Sequence, residues 1–362
     1  MFDTIHSEAE NKTSAPLVSV VIPTYNRAHV VRRAIDSVLA QTFADFEIIV
    51  VDDGSTDRTD ELVQGIPDWR IRYIRNSRNL GLAATRNAGI RQARGQYIAL
   101  LDSDDEWLPE KLDRQLSVMR QAAEPVGLTY TGYDRIYNGK CIGTFVPSHH
   151  GPVLRALLHK NVLMGCSSTA LISRTCLVDI GLFDERLRSS EDYDLWLRIA
   201  KRWRIEPLPV VLARICVDGE DRLTKDLGAK EAAFDLLATK YKCELPRSLN
   251  ALVWASRYTS LGISWLRKGE KRSARRALLK AVRVRPCHLK AWALIGLSHL
   301  GPRGLASIQK ARDRFRRLLA PLAQAKKTLS AETPQNRGAA QESMSRRRSG
   351  TGKGEGSVRR RP

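Results

Sequence analysis

Acidic side chains cluster in two short segments that each follow an apolar run of the chain. Asp52 and Asp53 come directly after residues 46–51 (FEIIVV), and the segment DSDD, residues 102–105, follows residues 97–101 (YIALL). Carboxylates held close together repel one another unless a cation or a polar ligand joins them. Oxygen ligands at Asp-x-Asp spacing suit Mg²⁺ or Mn²⁺, which also bind phosphate oxygens. The two segments therefore indicate a site for a phosphorylated ligand held together with a divalent metal ion.

The same residue types also cap helices. Asp and Ser accept hydrogen bonds from the free backbone amides at a helix N-terminus and are preferred there. For the segment that contains Asp52 and Asp53, taken alone, capping is the favoured interpretation. A second acidic segment after a second strand, together with the pair Glu191 and Asp192, favours a ligand site for the whole set. Glu191 and Asp192 would also suit the first turn of a helix, where negative side chains face the positive end of the helix dipole.

Strands and helices alternate along the part of the chain that must position these residues. Apolar, β-branched runs predict four strands, at residues 17–22, 46–51, 70–74 and 97–101. Helical periodicity between them predicts three helices, at residues 28–39, 59–64 and 82–94. Continuous apolar strands that alternate with helices are typical of an α/β fold with a Rossmann-like, mostly parallel sheet and helices on both faces. Because such sheets bind ligands at the carboxyl ends of their strands, the acidic segments and residues 23–26 (PTYN) are expected at one rim.

The pattern changes after about residue 122. Further elements are predicted as strands at residues 126–136, 168–173 and 208–215 and a helix at 191–203. The last 32 residues, 331–362, are rich in Ser, Gly and Arg with few apolar side chains, which is typical of disorder. We therefore expect four parts: a flexible N-terminal arm (1–15), the domain that carries the site (16–225), a basic α-helical region (226–328) and a disordered basic tail (329–362).

The helical region has Ala, Gly and Trp between residues 255 and 300 at spacings that resemble a tetratricopeptide helix pair. One such repeat cannot stack into a solenoid, so a helical hairpin packed on the main domain is the favoured interpretation. The positive charge of the protein also lies here. The formal net charge is +21, and residues 251–362 contain 27 Lys or Arg against 5 Asp or Glu.

Such an excess of positive charge in residues 251–362 indicates an anionic partner. An anionic membrane surface is the first choice, because basic helices with Leu on one side can lie on a membrane. Nucleic acid is the second, since the region has few aromatic side chains for base stacking and no recognisable binding motif. Neither a signal peptide nor a spanning segment is found in the sequence, which predicts a cytoplasmic protein that contacts the inner face of the plasma membrane.

Five segments of the chain, taken together and in order, resemble the family 2 glycosyltransferases. They are VSVVIPTYNR (18–27), VVDDGSTDRT (50–59), NLGLAATRNAGI (79–90), ALLDSDDEW (99–107) and GLFDERLRSSEDYDLWLRIA (181–200). The resemblance covers about residues 17–215. It implies the A-type fold that binds a nucleotide-sugar donor across the rim of the sheet, with the helical region following it.

The resemblance also implies which residues bind the nucleotide. The Pro23-Thr24-Tyr25 turn would line the nucleoside, with the ring of Tyr25 as a stacking face. Asp53, or Asp52, would accept a hydrogen bond from the base or the ribose, and the sequence leaves open which of the two does so.

A second group would hold the diphosphate. By the same resemblance, Asp104 would ligate Mg²⁺ or Mn²⁺, with Asp102 binding it directly or through water and Ser103 between them in the donor site. The metal would neutralise the charge that develops on the leaving diphosphate. Arg86 is a further candidate for a donor contact.

The pair Glu191 and Asp192 corresponds to the catalytic acidic residues of the family, and the general base matches the second of them, Asp192. Removal of a proton from an acceptor hydroxyl on the face opposite the leaving group gives single displacement with inversion. The chain departs from the family at Arg214-Ile215-Cys216, where relatives often have Arg-x-His. The metal or phosphate contact of that His is therefore in doubt, and Arg214 acts alone or pairs with an acid.

The sequence thus predicts an inverting, metal-dependent glycosyltransferase that uses a nucleotide-sugar, with UDP favoured, and a glycan or lipid-linked acceptor in cell-envelope polysaccharide synthesis. One alternative is a non-catalytic sugar-nucleotide-binding scaffold that acts through its basic helices. The presence of Asp102, Asp104 and Asp192 argues against it. A nucleotidyltransferase would need a Gly-rich, basic loop after the first strand, and the PTYN segment differs from that.

Overall fold

The structure is a computed structural model that describes residues 15–147, 153–159, 167–217, 226–244 and 246–299. The chain divides into one compact unit of residues 1–295 and a second of residues 296–362. The second unit is described only as far as His299, so most of it, including the predicted tail, lies outside the described residues. Residues 1–14 of the predicted N-terminal arm also lie outside them.

The first half of the sheet is parallel, as predicted. Its strands are β1 (Val18–Thr24), β2 (Phe46–Asp52), β3 (Ile71–Arg75) and β4 (Tyr97–Leu100), in the order β3-β2-β1-β4. Every residue of β1 and β2 is buried, which explains why these strands are apolar on both faces. Their carboxyl ends meet at one rim, where Thr24 of β1 lies opposite Asp52 of β2.

The second half of the sheet is mixed. Its strands are β5 (Glu106–Trp107), β6 (Val126–Tyr137), β7 (Lys140–Phe145), β8 (Ala170–Ser173) and β9 (Arg204–Cys216). The order continues β4-β8-β6-β9-β5, and β7 pairs with β6. Strand β8 is antiparallel to both β4 and β6, while β9 is parallel to β6 and antiparallel to β5. The sheet is thus parallel from β1 to β4 and again in the pair β6–β9, while its other pairs are antiparallel, because apolar runs indicate buried strands but not their direction.

Helices cover both faces of this sheet, as predicted. The first seven are α1 (Val31–Leu39), α2 (Thr59–Gln64), α3 (Leu82–Gln92), α4 (Lys111–Gln121), α5 (Val153–His159), α6 (Arg174–Ile180) and α7 (Glu191–Arg202). Successive residues of a strand face opposite sides. Val20 packs in the core that contains α1 and α4, and Val21 packs in the core that contains α3 and α7. Helix α3 lies so close to the sheet that a Cβ atom on Gly89 would be 2.5 Å from the Val21 side chain.

Four further helices follow: α8 (Leu227–Lys240), α9 (Arg247–Arg267), α10 (Lys271–Val284) and α11 (Leu289–His299). Phe234, Trp254 and Tyr258 belong to the same buried core as α7, so α8 and α9 pack on the α/β part. Helices α9 and α10 approach closely, and a Cβ atom on Gly262 would be 2.6 Å from Leu278. The predicted boundary at residue 225 falls inside the first compact unit and stays a prediction. Among the described helices, none has the length and apolarity that a membrane span requires.

Candidate active site

The end of β1 and the turn that follows it lie at the rim of the sheet. Thr24 is buried, and its hydroxyl has no hydrogen-bond partner among the described residues. Tyr25, the next residue, is 43% exposed, so its ring is open to a ligand. Pro23 is buried within β1. In the segment predicted to line the nucleoside, Pro23 and Thr24 are therefore buried, and the ring of Tyr25 is accessible.

This turn is held against the loop that follows β2. Asn26 has a left-handed backbone, with φ +52°, and its amide donates to Ser55 Oγ at 2.8 Å. The Thr56 amide donates in turn to Asn26 Oδ1 at 2.8 Å. The Ala28 amide donates to Asp57 Oδ2 at 3.0 Å. Asn tolerates this backbone conformation better than most residues, which explains its place here.

Asp52 is fully buried and is engaged within the protein. Its Oδ1 accepts from the Ser55 amide at 2.8 Å, and its Oδ2 accepts from the Tyr73 hydroxyl at 2.6 Å. Burial and the Asp52 carboxylate both raise the pKa of Tyr73, so the hydroxyl remains a donor. Asp52 thus ties its own loop to β3.

Asp53 is also buried, and three groups donate to it. These are Asn76 Nδ2 at 2.8 Å, the Leu80 amide at 2.9 Å and the Gly81 amide at 2.9 Å. Gly81 has φ +93°, in the region that favours glycine, and it precedes the first residue of α3. Asp53 therefore shapes the loop that leads into α3, and contact of either aspartate with a base or ribose stays a prediction.

Arg86 on α3 joins the two remaining acidic segments. It is 2% exposed, and its Nη2 donates to Asp102 Oδ1 at 2.6 Å while its Nη1 donates to Glu191 Oε1 at 2.8 Å. Its guanidinium also lies 5.4 Å from the centroid of the Phe183 ring. Burial alone would lower the pKa of Arg86, but the Asp102 and Glu191 carboxylates raise it above its usual value. Arg86 thus bridges the two predicted acidic groups within the protein, and its contact with the donor stays a prediction.

The segment after β4 is fixed by Ser168, which lies just before β8. The Asp102 amide donates to Ser168 Oγ at 3.0 Å, and Ser168 Oγ donates to Asp105 Oδ2 at 2.6 Å. Asp105 is 2% exposed and also accepts from the Cys216 amide at 3.0 Å. Sequence reasoning did not assign a role to Asp105. Its partners lie just before β8 and at the end of β9, so only the sheet order could have indicated it.

The rest of this segment faces the rim. Ser103 is buried, whereas the Asp102 side chain is 23% exposed and Asp104 is also partly exposed. Among the described residues, no three His, Cys, Asp or Glu side chains form a metal site by themselves. Two carboxylates at Asp-x-Asp spacing fit a Mg²⁺ or Mn²⁺ ion that takes its other ligands from substrate phosphates and water. The donor set therefore suits a metal shared with a phosphorylated ligand.

Glu191 and Asp192 form the first turn of α7, directly after Ser190, whose φ is +60°. Asp192 is partly buried, and its Oδ1 accepts from the Tyr193 amide at 2.6 Å. Burial and the neighbouring Glu191 carboxylate raise the pKa of Asp192 to about 7, against the opposing effect of Arg86. A carboxylate with a pKa near neutrality suits a general base.

Helix α7 is anchored at its start by buried polar groups as well as apolar ones. Leu195, Trp196 and Leu197 are buried, and the Tyr193 hydroxyl donates to the Leu157 carbonyl at 2.9 Å. Asp194 is fully buried as well. It accepts hydrogen bonds from Arg198 Nε at 2.9 Å and the Tyr241 hydroxyl at 2.8 Å, and it pairs with Lys240 Nζ at 2.7 Å. The position of Asp192 is therefore defined by a helix with little freedom to move.

Cys216, at the position where the family resemblance predicts a His, is buried at the end of β9. Arg33 Nη2 donates to Cys216 Sγ at 3.2 Å, and burial raises the pKa of the Cys216 thiol to about 11. Arg214 lies 3.7 Å from a carboxylate oxygen of Glu106 and is half exposed. Arg214 therefore pairs with an acid, one of the two outcomes that its sequence left open.

Comparison with known proteins agrees with this geometry. Residues 19–181 match Glycosyl transferase family 2. The chain is 38% identical over 185 residues to UDP-Glc:alpha-D-GlcNAc-diphosphoundecaprenol beta-1,3-glucosyltransferase WfgD of Escherichia coli, covering 51% of this chain and 70% of WfgD. It is 34% identical over 190 residues to the putative teichuronic acid biosynthesis glycosyltransferase TuaG of Bacillus subtilis, covering 52% of this chain and 73% of TuaG. The chain belongs to glycosyl transferase family 2.

Some relatives are longer than the matched region. The chain spans 61% of an uncharacterized glycosyltransferase of Rickettsia typhi and 33% of one of Rickettsia felis. The fold is confirmed by the crystal structure of S. aureus TarS residues 1–349 in complex with UDP-GlcNAc. That structure has a TM-score of 0.58 and 19% identity and covers 78% of this chain and 90% of its own. The fold is the A-type glycosyltransferase fold predicted from the sequence.

Proposed function

We propose that the chain transfers a sugar from a nucleotide-sugar donor to a hydroxyl group of a glycan or lipid-linked acceptor, with inversion at the anomeric carbon. The observation that carries the proposal is the Arg86 bridge, which places Asp102 and Glu191 within one hydrogen bond of the same guanidinium. Asp102, which would lie at the diphosphate, and Glu191, next to the proposed general base, are therefore held close together. Such convergence suits direct displacement of a nucleoside diphosphate by an acceptor hydroxyl.

In the proposed reaction, Asp192 takes the proton of the acceptor hydroxyl while that oxygen bonds to the anomeric carbon. The bond from this carbon to the diphosphate oxygen breaks on the opposite face, and the nucleoside diphosphate leaves. Asp102 and Asp104 would hold Mg²⁺ or Mn²⁺, which supplies positive charge to the leaving diphosphate. The Arg86 bridge keeps Asp102 and Glu191 in fixed positions, and the buried α7 does the same for Asp192.

The donor in this proposal is a UDP-sugar. Tyr25 is an exposed aromatic face on which a uracil base can stack. WfgD takes UDP-Glc according to its name, and the TarS structure contains UDP-GlcNAc, which supports the same nucleotide here. The proposed process is cell-envelope polysaccharide synthesis. Relatives named for colanic acid and teichuronic acid synthesis support it, although these names describe those proteins.

A panel of nucleotide-sugars tested with Mg²⁺, Mn²⁺ or EDTA examines this proposal, with release of nucleoside diphosphate as the readout. We expect D192N to lower transfer by about 10²- to 10⁴-fold and to retain donor binding, because only the base is removed. D104A should instead weaken metal-dependent donor binding. Equal loss of donor binding in both variants would contradict this division of roles. A wild-type chain that binds donor and never turns it over would favour the alternative of a non-catalytic scaffold.

We also propose that residues 226–328 form a basic helical region that contacts an anionic membrane surface, on the inner face of the plasma membrane. In the described part, Leu289 is 79% exposed and Trp292 is 50% exposed at the start of α11. The exposed Arg283 and Lys290 lie close to them in the sequence. Exposed apolar side chains with basic neighbours are typical of surfaces that lie on anionic lipid. The basic run between residues 310 and 322 lies outside the described residues.

A further inference from the structure

Most buried cations of the described residues have a carboxylate partner. Arg86 contacts two carboxylates, Arg198 contacts Asp194, and Lys240 lies within 3.1 Å of both Asp184 and Asp194. Such pairing is expected, because removal of a charge from water is costly unless an opposite charge replaces the lost solvation. A buried cation without such a partner therefore calls for a physical explanation.

Arg257 on α9 lacks such a carboxylate partner among the described residues. Its Nε and Nη2 atoms are buried without a hydrogen-bond partner, and no ion pair among the described residues includes it. The residue as a whole is only partly buried, so a solute can still reach it. Burial lowers the pKa of Arg257, in agreement with a charge that the protein does not neutralise.

Aromatic rings hold this guanidinium in place. Its Cζ atom lies 4.3 Å from the centroid of the Tyr193 ring, 5.5 Å from that of Trp254 and 5.9 Å from that of Phe234. Cation–π contacts offset part of the loss of hydration, but they offer no acceptor for the buried N–H groups. The rings therefore orient Arg257 and leave its hydrogen-bonding capacity unused.

A second cation contacts one of the same rings. Lys230 Nζ is 5.9 Å from the centroid of the same Phe234 ring, and no ion pair of the described residues includes Lys230 either. Burial and the nearby Arg257 charge lower the pKa of Lys230. The two positive charges repel each other, and an anion bound near both would offset that repulsion. The arrangement indicates an anion site.

The place of this pair in the fold indicates which anion it would bind. Tyr193, which lies under Arg257, directly follows Asp192 in the first turn of α7. The diphosphate of the donor is assigned to the carboxyl end of β4, where Asp102 and Asp104 lie. An anion bound near Arg257 would therefore belong to the other substrate. Arg forms bidentate hydrogen bonds with phosphate oxygens, and Lys adds a second positive charge, so phosphate is a suitable partner.

We propose that Arg257 and Lys230 bind a phosphate group of the acceptor, so that the acceptor is a phosphate- or diphosphate-linked sugar rather than a free glycan. The inference rests on the proposed function, since it assigns the site to the acceptor of that reaction. The name of WfgD includes a diphosphate-linked acceptor, which agrees with this substrate class.

Binding of inorganic pyrophosphate to the full-length chain tests the site directly. The titration is done in EDTA, so that metal-dependent binding at the donor position does not contribute, and is followed by calorimetry. We expect R257Q to bind pyrophosphate at least about tenfold more weakly than the wild type, and K230Q to be weakened in the same direction. R267Q is the matched control, because Arg267 is exposed on the same helix, and it should keep wild-type affinity.

Without pyrophosphate, R257Q should keep or raise the wild-type Tm, because it removes an unpaired buried charge. Unchanged pyrophosphate affinity in both R257Q and K230Q would overturn the proposal, as would a wild type that binds none. Asp218, Glu220 and Asp221 lie outside the described residues, and D218N/E220Q/D221N tests whether the chain itself competes for the two cations. If D218N/E220Q/D221N gains a pyrophosphate site that the wild type lacks, those carboxylates pair with the cations and the proposal is wrong.

Kinetics separate this inference from the proposed reaction. R257Q should raise KM for a diphosphate-linked acceptor and leave KM unchanged for the same sugar without phosphate. If transfer is observed and the two KM values respond equally, only the acceptor inference fails. If pyrophosphate binds through Arg257 and no donor is ever turned over, the proposed function fails and the anion site remains.

Discussion

At the scale of single residues, Asp192 has the environment of a base. It is partly buried and lies next to the Glu191 carboxylate, and the positive Arg86 is close enough to limit the rise of its pKa. A carboxylate at its ordinary pKa would be a weak proton acceptor at neutral pH. Burial, together with the second acid in the same helical turn, therefore raises the pKa of Asp192 toward the value that the proposed reaction needs.

The pH dependence of the rate follows from this environment. The base acts in its deprotonated form, so kcat/KM should rise as pH increases to about 7 and level off above it. E191Q removes the neighbouring negative charge and should move the midpoint to lower pH. A pH–rate profile of both proteins measures this shift. A wild-type midpoint near the usual Asp value would show that Asp192 is not the titrating base.

Arg86 is the residue whose loss should affect both halves of the site. R86Q would leave Asp102 and Glu191 without their shared cation, and removal of one partner from a buried ion pair costs about 3–5 kcal/mol of the free energy of unfolding. Chemical denaturation of R86Q measures this cost. Arg91 on the same helix is exposed and pairs with Glu185 at the surface, so R91Q should change stability by less than about 1 kcal/mol. Equal effects of the two substitutions would contradict the bridging role.

At the scale of elements, close packing of α3 on the sheet positions Arg86. Small residues allow this approach, and Gly89 is the tightest of them, because a methyl group there would lie within 3 Å of both Val21 and Val51. G89A should therefore cost about 1–3 kcal/mol through overpacking. Gly143 on β7 has no atom within 4 Å of its Cβ position, so G143A is the control for thermal denaturation. A stable G89A would show that α3 can shift outward without loss.

The sequence predicts these elements well where burial determines the pattern. The runs around β1, β2 and β4 are apolar on both faces, so both their existence and the position of the rim follow from residue types. The hydrogen-bond partners of the acidic residues at the rim do not follow from residue types. Asp52 and Asp53 were interpreted as ligand contacts or caps, yet their partners in the structure include Tyr73 and Asn76, which only the folded β2–β3 pairing brings near. The Arg86 bridge likewise joins residues 105 positions apart.

At the scale of the whole molecule, the charge distribution leads to a further prediction. Full-length protein should sediment with vesicles that contain anionic lipid and not with neutral ones, and added salt should release it, because screening weakens surface attraction. The triple substitution R283Q/R285Q/K290Q should weaken this binding more than R120Q/R135Q/K140Q, which removes the same charge from the α/β part. Binding that is insensitive to salt or equal in both variants would contradict the proposal.

The mixed sheet has one consequence for how such a protein can vary. Strand β8 runs antiparallel to its neighbour β4. The beginning of β8 therefore lies beside the carboxyl end of β4. Ser168 thereby fixes the backbone of Asp102 from a stretch of chain more than sixty positions away. Substitutions in the residues before β8 can thus change the surroundings of Asp102 without any change in the loops that follow the parallel strands. Evolution can alter this edge of the sheet and leave the turns after β1 and β2 as they are.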